Sequence, residues 1–79
     1  MYMQISYNVL LDATEDDCPI PVIKTKEVLD TMSAGEVLKV VTTREGTIRN
    51  IRTLVNNNPY KLLQQLKENA RFHFYIEKL

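Results

Sequence analysis

The chain has 79 residues, ten basic and ten acidic, with 44% hydrophobic and 25% charged. That size admits one core, not two, and that composition excludes disorder. A net charge of zero gives no general electrostatic case for nucleic-acid binding, a single cysteine excludes an internal disulfide, and no apolar run approaches the roughly 20 residues that cross a bilayer.

The start, "MYMQISYNVLLDA", has neither a basic region nor a small-residue cleavage site, so it does not read as a signal peptide. A reducing cytoplasm is the expected compartment. One cysteine and one histidine far apart make no metal-ligand set, and no cofactor site is expected.

Met3, Ile5, Tyr7, Val9 and Leu11 alternate with mostly polar residues, which predicts a strand ending near Asp12. Ala13 to Asp17 reads as a polar loop. From Pro19 to Met32 the period changes: Val22, Thr25, Leu29 and Met32 fall on one helical face, widened by Ile23 and Val28. Ser33-Ala34-Gly35 stops that helix, with Gly35 suited to a left-handed cap. "EVLKVVTT" (36–43) is rich in β-branched residues and predicts a second strand. Arg44 to Gly46 reads as a turn. Ile48, Ile51 and Val55 then mark a second helix, with Thr47 as its expected cap and the asparagines and Pro59 as its end.

The C-terminal third is ambiguous by pattern. "PYKLLQQLKENA" has helical propensity, with Asn58 as cap and Pro59 in the first turn. Tyr60, Leu62 and Leu66 also share one face of a strand, with Gln64 as the polar exception. "RFHFYIEKL" alternates through Phe72, Phe74 and Ile76, and a strand pair would turn at Lys67–Asn69. Strand, helix, strand, helix, then one or two strands predicts an α+β chain, a two-layer α/β sandwich with both helices on one sheet face. Residues 1–79 are expected to form one domain.

Cys18 lies between the strand-end loop and the helix start. A lone cysteine is commonly a small buried hydrophobe. Here Pro19 suits the first helical turn, where its missing N–H has no partner, and Pro21 is still within that turn. The helix N-terminus favours a thiolate, the nucleophilic form. Glu15, Asp16 and Asp17 oppose a second anion, although Asp17 is also a candidate cap. The expectation is a modestly activated thiol.

The element Cys18-Pro19-Ile20-Pro21, preceded by Leu11-Asp12-Ala13, resembles the Cys-Pro-x-Pro hallmark of the TusA/SirA family of small sulfur-carrier proteins. The likeness extends through Gly35-Glu36-Val37-Leu38, Arg49-Asn50-Ile51 and the terminal "FHFYIEKL". It implies a βαβαββ sandwich with a four-stranded mixed sheet, and so favours strands in the ambiguous segment. It implies that Cys18 accepts sulfane sulfur as a persulfide from a donor protein, a cysteine desulfurase or rhodanese-like protein. Cys18 then passes the sulfur to an acceptor protein, in tRNA thiolation or another sulfur-trafficking pathway. Asp12, Asp17, Pro19 and Pro21 would support the motif. Two positions depart from the family's habit: Glu15 stands where a glycine is usual, and Arg52 where a proline is common.

Lys24, Lys26, Arg49 and Arg52, with Arg44, are candidate partner-facing basic residues; solvated surface charge explains them equally simply. His73, between two phenylalanines, is expected to face away from them towards solvent, and the Tyr and Phe residues are expected in the core. No membrane partner is expected, and direct nucleic-acid binding is not expected. The competing class is a noncatalytic RNA- or protein-binding regulatory module on the same fold. A thiol-disulfide oxidoreductase would need the second cysteine of a C-x-x-C site.

Overall fold

The computed structural model describes residues 7–14, 20–57 and 59–79. The expected strand positions Met3 and Ile5, the acidic run Glu15, Asp16 and Asp17, then Cys18, Pro19 and the expected cap Asn58 lie outside the described residues. The elements run β1 (Val9–Asp12), α1 (Ile20–Thr31), β2 (Val37–Thr42), α2 (Glu45–Asn57), β3 (Tyr60–Glu68) and β4 (Arg71–Lys78). The sheet order is β1-β2-β4-β3. β1 and β2 are parallel, while β4 runs antiparallel to both β2 and β3. This is the mixed βαβαββ arrangement expected.

Side-chain alternation sets the two faces of the sheet. Leu38 and Val40 on β2 pair with Ile76 and Phe74 on β4, and all four are fully buried. Leu29 of α1 and Met32 just past its end, with Ile51, Leu54 and Val55 of α2, pack on that same face. Both helices therefore cover one side of the sheet, and the core lies between the layers. Ile23, expected to widen the α1 stripe, is instead 48% exposed. It lies on the far side of the helix from Thr25 and Leu29.

α1 ends at Thr31, before the expected stop at Ser33-Ala34-Gly35; Gly35 lies in the turn that follows, with φ of 90°, and its N–H donates to the Lys78 carbonyl at 2.7 Å. That hydrogen bond ties the turn to the end of β4. The turn expected at Arg44–Gly46 is already the entry into α2, which starts at Glu45. Thr47 is not the cap. It sits fully buried in the first turn, and its hydroxyl has no partner among the described residues. The Thr42 hydroxyl accepts from the Arg44 N–H at 3.3 Å, and the Arg44 carbonyl accepts from the Thr47 N–H at 3.2 Å. The helix thus begins through its own backbone and the preceding strand end.

The ambiguous third is a β-hairpin. Its expected pattern fails in one place. The ladder pairs Leu62 with Ile76 and then Gln64 with Tyr75, so the register shifts at Leu63. One extra residue flips every side chain that follows. Leu62 therefore faces the helices, but Leu66 lies beside His73 on the helix-free face.

The hairpin turns at Asn69-Ala70, not at Lys67–Asn69. Asn69 and Ala70 have φ of 53° and 62°. A two-residue turn with both φ positive matches the twist of the strands, and asparagine tolerates the first position. Alanine at the second is strained by roughly 1–2 kcal/mol. Glycine there relieves that strain and loses roughly 0.5–1 kcal/mol to unfolded-chain entropy. Ala70→Gly is expected to raise stability by about 0.5–1 kcal/mol. The midpoint of urea unfolding reads this directly, and a lower midpoint overturns it.

Candidate functional site

Both parallel strands end, and both helices begin, at one end of the sheet: β1 at Asp12, β2 at Thr42, α1 at Ile20 and α2 at Glu45. The carboxyl ends of parallel strands are the usual place for a site, because loops and helix N-termini converge there. Cys18 precedes the first residue of α1 by two positions in the sequence.

The described part of this end is tightly tied. The Asp12 carboxylate accepts from the Thr14 N–H at 3.0 Å and from the Thr14 hydroxyl at 2.8 Å. This aspartate-centred turn lets the chain leave β1 in a fixed direction. Those two hydrogen bonds, the backbone one first, hold the Asp12 carboxyl below its usual range. The Ala13 N–H donates to the Val41 carbonyl at 2.8 Å, and the Thr43 hydroxyl donates to the Thr14 carbonyl at 2.8 Å. Ala13 is only 1% exposed. The loop that leads to the cysteine is therefore anchored to the end of β2 from both sides. Thr14 and Thr43 were not singled out from the sequence; the spacing Asp12-x-Thr14 was the available signal.

Pro21 is the second residue of α1 and is buried. Its carbonyl accepts the Thr25 hydroxyl at 2.6 Å. Ile20 and Ile23, by contrast, are 42% and 48% exposed. Two large apolar side chains thus stand in solvent on the first turn of α1, Ile20 within the cysteine motif and Ile23 just after it. Both lie off the 22-25-29-32 stripe, so Ile23 does not widen the buried face as its sequence spacing suggested.

The four basic candidates do not form one patch. Lys26 is bound to Asp30 at 2.9 Å, one turn further along α1. Asp30 also accepts the Tyr60 hydroxyl at 3.0 Å, so this network ties α1 to the start of β3. The hydrogen bond from Lys26, then that from Tyr60, lowers the Asp30 pKa, and the same contact with Asp30 raises that of Lys26. Lys24 is exposed on α1. Arg49 and Arg52 are brought together, three residues apart on one side of α2.

The helix-free face carries the rows Leu10-Lys39-Tyr75-Gln64 and Asp12-Val41-His73-Leu66. Phe72, Phe74 and Tyr60 belong to the core as expected, but Tyr7 and Tyr75 lie on this other side. The Lys39 ammonium sits 5.2 Å and 5.5 Å from their ring centroids. His73 is half-buried here. Burial, and then the charge of Lys39, hold its pKa below the ordinary 6.5, with Arg71 acting likewise and Glu68 opposing. The unfolded chain therefore binds this proton more readily than the folded one. The resulting stability is complete above pH 6.5 and is lost as pH falls through the lower folded value. His73→Gln is expected to flatten the stability slope just below neutrality. Urea midpoints at about pH 7.5 and about pH 5.5 check this, since an unchanged difference between them excludes His73 as the source.

Among the described residues no helix is long and apolar enough to cross a membrane, and no group of His, Cys, Asp and Glu is placed to hold a metal.

Fold and sequence together define a small α/β sandwich with a lone thiol just ahead of its first helix. The sequence model of the family described as "Sulfurtransferase TusA" matches residues 9–78, and the chain belongs to that family. It is 34% identical over 68 residues to the "Sulfur carrier protein TusA" of Allochromatium vinosum, a match covering 86% of this chain and 90% of that one. It is 35% identical over 71 residues to the "Sulfur carrier protein TusA" of Pseudomonas putida strain F1, covering 90% and 89%. The crystal structure of a SirA-like protein from Desulfitobacterium hafniense superposes with a TM-score of 0.79 at 26% identity, covering 89% of this chain and 96% of that one.

Proposed function

We propose that the chain is a cytoplasmic sulfur carrier and that Cys18 is its persulfide site. The observation that carries the reading is the lone thiol two residues ahead of α1, where the helix presents unpaired N–H groups and exposes Ile20 and Ile23. A Cys18 thiolate attacks the terminal sulfur of a donor persulfide. A new S–S bond forms on Cys18, and the donor cysteine leaves as a thiolate. In the second half the terminal sulfur passes to an acceptor nucleophile, and Cys18 is the leaving thiolate. The positive end of the α1 dipole stabilises the anion in both halves.

Such a relay needs an accessible thiol and a surface that two partners use in turn. Ile20 and Ile23 supply apolar contact beside the thiol. The donor is a cysteine desulfurase or rhodanese-like protein, and the acceptor belongs to tRNA thiolation or another sulfur-trafficking route. Asp12 supports the loop through Thr14; Pro21 stiffens the helix start; Pro19 and Asp17 have the same assigned roles from their place in the motif.

Incubation with a cysteine desulfurase and cysteine, followed by intact mass, tests the reading. A gain of about 32 Da, one sulfur atom, that a thiol reductant removes is the expected result. No adduct with a desulfurase, a rhodanese or a small-molecule persulfide overturns it.

A further inference from the structure

A second feature lies on the side of α2 that faces the β3–β4 hairpin. There a groove of about 460 Å³ runs along the helix, with Ile48 and Phe72 as its apolar surface and Arg49 and Arg52 on its rim. Neither arginine makes an ion pair among the described residues. The Lys67 ammonium, from β3, lies 5.5 Å from the centroid of the Phe72 ring and adds a third positive charge on the hairpin side. Glu45 is the one carboxylate in the lining. A chain with zero net charge thus concentrates unpaired cations around a small apolar surface. Arginine holds carboxylates by paired N–H donors, so the geometry suits planar acidic groups.

We propose that this groove docks an extended acidic segment of a partner protein, with carboxylates on Arg49 and Arg52 and one apolar side chain against Ile48 and Phe72. The proposal deepens the carrier reading and rests on it for the partner's identity as sulfur donor or acceptor. Phe72 pairs with Thr42, the last residue of β2, so the groove opens at the end of the sheet where α1 and α2 begin. β4 is two strands from β1, about 10 Å across the sheet. A partner held in the groove keeps its own reactive group at the end of the molecule that bears the cysteine motif. A nucleic-acid strand fits less well. Phe72 is only 8% exposed, so it adds to the apolar contact made by Ile48 but offers no open ring face on which successive bases could stack.

The probe is a fluorescein-labelled peptide of sequence DDELFEDD, titrated against the full chain by anisotropy. Binding that weakens as salt rises is expected, together with a loss of at least about tenfold in Arg49→Gln/Arg52→Gln. Lys61→Gln, on the helix-free face, should leave binding unchanged. The proposal is overturned by no binding of the peptide up to about 1 mM, by equal affinity in the double arginine variant, or by equal affinity for a peptide with its Leu and Phe replaced by Ser. Tighter binding of an eight-nucleotide uridine RNA than of the peptide also overturns it. Sulfur uptake from glutathione persulfide is measured on the same samples. An unmodified wild-type chain that still binds the peptide overturns the carrier reading alone; a persulfidated chain that ignores the peptide overturns the docking groove alone.

Discussion

Cys18→Ser is expected to abolish sulfur loading, with the adduct of about 32 Da falling to background. The argument is chemical. Transfer requires a nucleophile that is anionic near neutral pH and that is also a good leaving group in the second half-reaction. A thiol with an ordinary pKa near 8.5 is already a few per cent thiolate at pH 7, and a helix N-terminus raises that fraction. A serine hydroxyl supplies neither an anion at that pH nor an S–S bond to pass on. No other cysteine exists in the chain to take its place. The loss is therefore expected to be complete, whichever donor is used. Far-ultraviolet circular dichroism on the same sample separates a chemical loss from an unfolded one. An adduct that persists in a folded Cys18→Ser chain sinks the assignment of the thiol. Full cellular complementation by that variant would favour the regulatory-module reading instead.

The regular parts of the fold were legible because their patterns are long or strongly punctuated. The three-four-three spacing from Val22 to Met32 predicted the buried line of α1, and Gly35 has the positive φ that glycine tolerates, though in the turn after the helix and not at its cap. The hairpin was harder. Sequence pattern alone gave Tyr60, Leu62 and Leu66 one shared face, and only the resemblance to a known family chose strand over helix. The bulge at Leu63 then placed Leu66 on the opposite side. No residue announces that bulge: Leu62-Leu63-Gln64 has neither glycine nor proline, and the shift arises from pairing with β4, a long-range contact. The turn was misplaced for a related reason. Asn69-Ala70 lacks the glycine that marks such a turn, and Ala70 is held there by the strands on either side.

Of the candidate site, the motif and its helix were legible, and the surroundings were not. Composition identified Arg49 and Arg52 as basic, but only the path of α2 beside the hairpin makes them one rim over Phe72. Lys26 looked equivalent in the sequence and is instead engaged by Asp30. The difference is made by a carboxylate four residues away and a tyrosine hydroxyl from another element. Pairing of this kind decides which charges a partner can use.

Phe74→Ala is expected to remove about 3–5 kcal/mol of stability, the largest loss of any single substitution in the core. Phe74 heads the fully buried side chains by volume and has no exposed surface. It sits mid-strand on β4, opposite Val40 of β2 on one side and Gln65 of β3 on the other. The Gln65 side is polar and exposed, so it does not close over the space a truncated Phe74 leaves. A chain of 79 residues has a total stability of roughly 4–12 kcal/mol, so the loss is a large share of it. Ile76→Val, two residues along on the same face, should remove only about 0.5–1.5 kcal/mol. Urea unfolding of the three proteins measures both. A Phe74→Ala loss smaller than that of Ile76→Val would mean that the layers collapse onto the cavity, and that the core is not packed around this ring. At a temperature where part of the Phe74→Ala population remains folded, that fraction should still load sulfur on Cys18. Phe74 supports the sheet, whereas the proposed chemistry depends on the loop and helix start at its end.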